Sequence, residues 1–185
     1  MRVITGTARG RNLLAPSGRN VRPTSAMVKE AIFSMVQFEV EGARVLDLFA
    51  GSGQMGIEAL SRGARECVFV DSARESLEVL RANIASTGPW VSAKIVPSGA
   101  IEFLRGYKGQ AFDIVFMDPP YDSHPLAADC LRLLAGHISG SGVVICEADA
   151  EAPPPGEVFP LRLKKGYKYG GTRVFQYRGA GEVEL

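Results

Sequence analysis

Val45-Leu46-Asp47-Leu48-Phe49-Ala50 runs into Gly51-Ser52-Gly53-Gln54-Met55-Gly56, and Ile57-Glu58-Ala59-Leu60 continues without a break. The first segment is an apolar run of strand length, the second matches G-x-G-x-x-G, and the third carries on as a helix. Glycines at such a turn let backbone come close to a ligand. Asp71 closes the next apolar run, Cys67-Val68-Phe69-Val70, twenty residues after Gly51. An acid at that distance can accept hydrogen bonds from the hydroxyls of a ribose.

Outward from this unit the pattern repeats. A helix is expected over 76–85, a third strand within 90–96, a short helix from 100 to 104 and a fourth strand over 112–117. Another helix over 127–134 and a fifth strand over 142–146 follow. Alternating strands and helices imply a parallel sheet covered on both faces, with ligands at the carboxyl ends of the strands. Asp47, Asp71 and Asp118 all fall at or near those ends, so three carboxylates are expected in one crevice.

The fourth strand ends in Asp118-Pro119-Pro120-Tyr121. Proline cannot donate to a strand ladder, so pairing stops there, and each residue before a proline is pushed to an extended conformation. The Asp118 carboxylate and the carbonyls beside it are then fixed acceptors, and Tyr121 adds a flat ring. This is a site for a planar group bearing N–H donors, such as a nucleobase with an exocyclic amine. Two cofactor classes suit the glycine turn. A dinucleotide would set its pyrophosphate on the helix N-terminus, whereas S-adenosylmethionine would place its ribose on Asp71 and its amino-acid end over the glycines. The tetrapeptide has no role in hydride transfer and favours S-adenosylmethionine.

The rest of the chain supplies charge. Residues 1–29 hold six basic residues and no acid, and 161–178 hold six more and no acid, whereas 30–160 hold nine basic and eighteen acidic residues. The net charge of +1 therefore hides two basic ends, and these fit an anionic partner. At the N-terminus a β-hairpin is expected, with Arg9 and Arg11 at its tip, followed by Arg22 and a helix capped by Thr24 or Ser25 that keeps apolar spacing to about Val40. At the other end, strands near 159–163 and 172–177 straddle a basic loop carrying Lys164, Lys165 and Lys168. Arg9, Arg11, Arg22, Lys165 and Lys168 are the residues expected to track phosphates. Pro153-Pro154-Pro155 reads as a turn inside one unit. Cys67, Cys130 and Cys146 lie in apolar runs without metal-ligand spacing and read as buried thiols, and His124 and His137 as surface or helix-end residues. With no apolar run long enough to span a bilayer and no leader, the expectation is a cytoplasmic monomer of 185 residues: an extension (1–41), a catalytic part (42–179) and a flexible tail (180–185) in one compact unit.

Several stretches together resemble the bacterial RsmD family of 16S rRNA guanine-N2 methyltransferases. They are Arg2-Val3-Ile4-Thr5-Gly6 with Ala8-Arg9-Gly10-Arg11, Arg22-Pro23-Thr24, Glu30-Ala31-Ile32-Phe33, residues 46–53 with 56–64, the Asp118 tetrapeptide, and Tyr169-Gly170-Gly171-Thr172. The resemblance implies an α/β, Rossmann-like class I methyltransferase with a seven-stranded, mostly parallel sheet whose last strand is antiparallel. It implies S-adenosylmethionine as methyl donor, and 16S rRNA of the small ribosomal subunit as substrate, at the N2 of guanine 966. The cofactor would rest on Asp47, Phe49, Ala50, Gly51, Gly53, Asp71, Ser72, Ser98, Gly99 and Asp118, and the chemistry on Asp118, Pro119, Pro120 and Tyr121. The chain departs from the family after the third strand. There Pro97-Ser98-Gly99 offers a hydroxyl and backbone where an acid often meets the adenine amine. Competing readings are an amino-group methyltransferase acting on DNA adenine or protein glutamine, a non-catalytic nucleic-acid-binding module, and a nucleotide-dependent oxidoreductase.

Overall fold

A computed structural model describes residues 1–16, 25–88, 90, 92–120 and 124–180. After an N-terminal hairpin the elements run α1 (Ala26–Met35), β1 (Arg44–Leu48), α2 (Gln54–Ser61), β2 (Glu66–Asp71), α3 (Arg74–Thr87), β3 (Ala93–Pro97) and α4 (Ala100–Gly106). They continue through β4 (Phe112–Met117), α5 (His124–Leu134), β5 (Ile138–Asp149), β6 (Leu161–Tyr169) and β7 (Thr172–Gly179). The seven strands form one sheet in the order β3-β2-β1-β4-β5-β7-β6. β1 to β5 pair in parallel, and β7 runs antiparallel between β5 and β6. The chain fans out in both directions from β1 and β4, so the switch point, where a parallel sheet opens a crevice, lies between those two strands.

Side-chain alternation sends β1–β5 residues to two cores. Val45, Phe69, Ile114, Phe116 and Ile145 pack with Ile32 and Phe33 of α1, Ile57 of α2 and Leu80 of α3. Leu46, Val68, Val115 and Val144 face the other way, against Leu104 of α4 and Leu131 and Leu134 of α5. Asp47, Asp71 and Asp118 share the parity of the first core, so they belong to the face that carries α1 and the hairpin.

The hairpin is minimal. One bridge joins Arg2 and Asn12, flanked by Val3 N–H to Arg11 O (2.9 Å) and Leu13 N–H to Met1 O (2.9 Å). Such a hairpin is marginal alone, and α2 holds it. Fully buried Glu58 accepts from the amides of Ile4 (2.8 Å) and Thr5 (2.9 Å), and pairs with Lys29 (3.0 Å) and Arg62 (2.9 Å). Ser61 adds its hydroxyl to the Thr5 carbonyl (2.6 Å) and takes the Ala8 amide (2.9 Å). Gly6 passes so close that a Cβ there would sit 1.7 Å from the Ser61 carbonyl oxygen.

Three expectations need correction. α1 stops at Met35, not near Val40: Val36 and Val40 stay buried, so the apolar spacing persists, but the chain has already left the helix in a run of turns. Lys164, Lys165 and Lys168 lie on strand β6 and not in a loop. The strand β6 pairs only with β7 at the sheet edge, where charged side chains are tolerated and apolar alternation is weak. Lys29, counted with the basic N-terminal end, is buried against Glu58 and faces no partner. The three cysteines are buried and free, as expected. Among the described residues no cluster could hold a metal ion, and no helix is long and apolar enough to cross a membrane.

Candidate active site

β1 ends in a strained turn. Phe49 takes a left-handed conformation (φ 67°), followed by Gly51 (φ 53°) and Gly53 (φ 77°). The two glycines serve different needs. A Cβ on Gly53 would lie 2.3 Å from Leu80 Cδ1, so that position is closed by packing, whereas a Cβ on Gly51 would meet nothing within 4 Å. Gly51 thus borders open space, and it leaves backbone bare where a ligand can approach.

Asp47 lies beneath this turn. Its neighbours in register are Phe69 on one side and Phe116 on the other. Its Oδ2 accepts the Gly56 amide (2.9 Å), one of the unpaired N–H groups of the first turn of α2, which has no side-chain N-cap. Burial pushes the Asp47 carboxyl up to about 7 against the pull of that amide, with Asp71 and Asp118 adding repulsion.

Asp71 ties the turns together. Oδ2 accepts the Gly51 amide and Oδ1 the Ala73 amide, both at 2.8 Å, while its carbonyl accepts from the Ser98 amide (3.1 Å). Each carboxylate oxygen retains lone-pair capacity for a further donor. Asp118 stands at the end of β4, its amide toward the Leu48 carbonyl (3.4 Å). It is half-buried, and desolvation raises its carboxyl to about 6. Asp71 and Asp118 flank the point where β1 leaves the sheet, about two strand spacings or ~10 Å apart.

The other expected residues divide by place. Phe49 and Ala50 form the turn, and Ser72 is exposed beyond Asp71. Ser98 and Gly99 lead into α4, with Gly99 as its N-cap and Glu102 folded back so closely that a Gly99 Cβ would lie 2.2 Å from Glu102 Oε2. Pro119 is buried and Pro120 exposed after Asp118. Arg9 and Arg11 are exposed on the hairpin, and Lys165 and Lys168 on β6, where Lys168 pairs with Glu151 (2.6 Å). Tyr121, Arg22 and Thr24 lie outside the described residues; Ser25 caps α1 through Val28 (3.3 Å). Next to the turn a cavity of about 250 Å³ opens between Met1, Arg2, Asn12, Ala26, Lys29 and Gln54. The Glu58 cluster, which reaches this cavity only through Lys29, was not legible in the sequence, because its members are separated by up to 54 residues.

Geometry of this kind, a glycine turn and two strand-end carboxylates at a switch point, suits an adenosyl ligand and a planar amine. The chain matches the model of the family described as Conserved hypothetical protein 95 over residues 1–178. It is 32% identical to the ribosomal RNA small subunit methyltransferase D of Escherichia coli strain K12, over 100% of this chain and 93% of that protein. The solved structure of the Escherichia coli protein yhhF superposes with a TM-score of 0.86 at 31% identity, covering 97% of each chain. The same fold, at 16% identity and a TM-score of 0.70 over 86% of this chain and 50% of the other, occurs in SMU.776, solved as a complex with SAH. The chain therefore belongs to the family of Conserved hypothetical protein 95, the RsmD family that its hairpin and tetrapeptide motifs resemble.

Proposed function

We propose that the chain methylates the exocyclic N2 of a guanine in 16S rRNA, at position 966, in the bacterial cytoplasm and in the context of the small subunit. The observation that carries this reading is the placement of Asp118 beside the glycine turn, at the one crevice the sheet topology opens. S-adenosylmethionine, when bound, supplies an electrophilic methyl group; Gly51, Gly53 and Asp71 are the residues that would hold it, with Asp47, Phe49, Ala50, Ser72, Ser98 and Gly99 around them. The open space over Gly51 and the spare acceptor capacity of Asp71 fit an adenosine ribose.

Asp118 and the Pro119 carbonyl accept the two hydrogens of the amine. The N2 lone pair of guanine is delocalised into the ring, and two fixed acceptors favour the pyramidal form in which that pair points along one direction. Orientation of this kind supplies most of the acceleration in an in-line displacement. No strong base is needed first, because the nitrogen sheds its proton once it carries positive charge, and the Asp118 carboxylate is within the same hydrogen bond to receive it. Tyr121 stacks on the guanine, which must leave its helix to enter the crevice.

The test is methyl transfer from tritiated S-adenosylmethionine to small subunits lacking the modification, with mass mapping of the product base. Asp118→Ala should lose nearly all turnover while still binding S-adenosylhomocysteine. The wild-type rate should fall as pH drops below about 6, where the Asp118 carboxyl gains a proton and with it a donor in place of an acceptor. A methyl group mapped to adenine, or wild-type turnover in Asp118→Ala, overturns the reading.

A further inference from the structure

β5 and β7 extend the sheet beyond the end of β4, and β6 runs along their outer edge. Met117 pairs with Cys146, so one step further Asp118 lies level with Glu147. Glu147 pairs with Val174, and Val174 with Tyr167. Four residues on four adjacent strands thus occupy one row. Side chains in a row share a face, and Val174 belongs to the same core as Phe116 and Ile145. Tyr167 therefore projects to the face that carries Asp118, three strand spacings or about 14 Å from it. Tyr169, two residues on, projects the same way, as does Lys165.

These three side chains make a continuous stripe. The rings of Tyr167 and Tyr169 lie nearly parallel, 17° apart with centroids at 6.4 Å, and Lys165 Nζ sits 5.1 Å from the Tyr167 ring centroid. Both tyrosines are half-buried, so the rings are propped in place, with one part open to solvent. Lys164 and Arg162 are exposed on the same strand. Flat rings in series with basic groups along a strand are what sequence-tolerant recognition of single-stranded nucleic acid requires: bases stack on the rings, and phosphates lie along the charges.

We infer that Tyr167 and Tyr169, with Lys165, form a stacking platform on β6 for unpaired nucleotides flanking the target base, about 14 Å from Asp118 across the buried Glu147 and Val174. The inference rests on the reading that the substrate is RNA. It assigns the stripe a role separate from the hairpin: the arginines there hold phosphates, whereas this stripe holds bases.

The experiment compares wild type, Tyr167→Ala, Tyr169→Ala, the double alanine variant and Tyr167→Phe/Tyr169→Phe in two assays. One is methyl transfer to small subunits with RNA concentration varied; the other is binding of a fluorescein-labelled single-stranded RNA 12-mer, followed by anisotropy in every variant. Each alanine change should raise KM and the 12-mer Kd by roughly 5- to 150-fold, the range of a lost base–aromatic stack. The rise in KM should far exceed any fall in kcat, and the phenylalanine pair should restore both constants. A binding change in S-adenosylhomocysteine, or no rescue by phenylalanine, would mark a structural role and overturn the inference. So would unchanged KM in a double variant of wild-type folded stability, or a dimer lost in place of RNA affinity. Failure of the wild-type protein itself to methylate any RNA would instead sink the functional reading beneath it.

Discussion

Asp47 is a carboxylate placed where ionisation is costly, between two phenylalanines and under a helix end. Its proton affinity in the folded state lies near 7, above the ordinary 3.8. Between those values the folded chain binds more protons than the unfolded one, so stability falls as pH rises through the window and levels off above about 7. Asp118 acts with the same sign up to about 6. Asp47→Asn removes the charge and keeps an acceptor oxygen for the Gly56 amide. The variant should therefore keep only the dependence from Asp118, melting at a nearly constant temperature above about pH 6, and by pH 8 be the more stable protein by on the order of 2 to 4 kcal/mol. Calorimetric scans across that range decide it, and parallel wild-type and variant curves would refute it. The position of Asp47, Asp71 and Asp118 was legible in the sequence, because each ends or interrupts an apolar run. Their protonation was not, since it depends on neighbours such as Phe116 that pairing brings from a distant strand.

At the scale of elements, α2 does two jobs. One end carries the glycine turn, and the other anchors the hairpin through Glu58 and Ser61. Burial drives the Lys29 ammonium down even with Glu58 beside it. Burial also works against the Glu58 carboxylate, but the Ile4 amide, Lys29 and Arg62 outweigh it and hold it below the usual range. Glu58→Ala would strand a buried ammonium and two amides together. A loss of about 3 to 5 kcal/mol is expected, as for other buried pairs broken on one side. Hydrogen exchange should quicken most at Ile4 and Thr5, before the sheet opens; uniform exchange changes would show that the clip is not local. Replacing both Lys29 and Glu58 by apolar residues should not rescue stability, because the two amides keep their need for an acceptor. Elements with clean periodicity were readable at this scale: β4 is observed over the same residues the apolar run suggests. β5 is longer than expected, 12 residues, because Ile138 pairs with Phe112 and residues 139–142 then bulge before Val143 meets Ile114, a pairing that local propensity does not show. Only the start of β6 was legible, near 159–163; its continuation through the lysines to Tyr169 was not, because a register shift between Leu163 and Lys165 interrupts the alternation.

For the molecule as a whole, the separated charges in the sequence overstate the surface that is available to an anion. Lys29 is spent on Glu58, Lys168 on Glu151 and Arg178 on Glu39 (2.8 Å). Among the described residues of the two basic ends, Arg2, Arg9 and Arg11 stay exposed on the hairpin, and Arg162, Lys164 and Lys165 along β6. The hairpin turn lies against the C-terminal end of α2, with the Thr7 amide on the Ser61 carbonyl (2.8 Å), so an RNA strand in the crevice meets Arg9 and Arg11 only if it also runs along that face. Each phosphate contact on a single strand contributes about 0.7 to the slope of log K against log salt. Changing Arg9 and Arg11 to alanine should then flatten that slope by about 1.4 and weaken binding most at low salt, while S-adenosylhomocysteine affinity holds. Titrations of a single-stranded RNA carrying the target guanine at three or more salt concentrations measure the slope directly. Parallel lines for wild type and the double variant would remove the hairpin from the RNA path. A flattened slope with Tyr167 and Tyr169 intact would separate the phosphate-holding part of the surface from the part that stacks on bases.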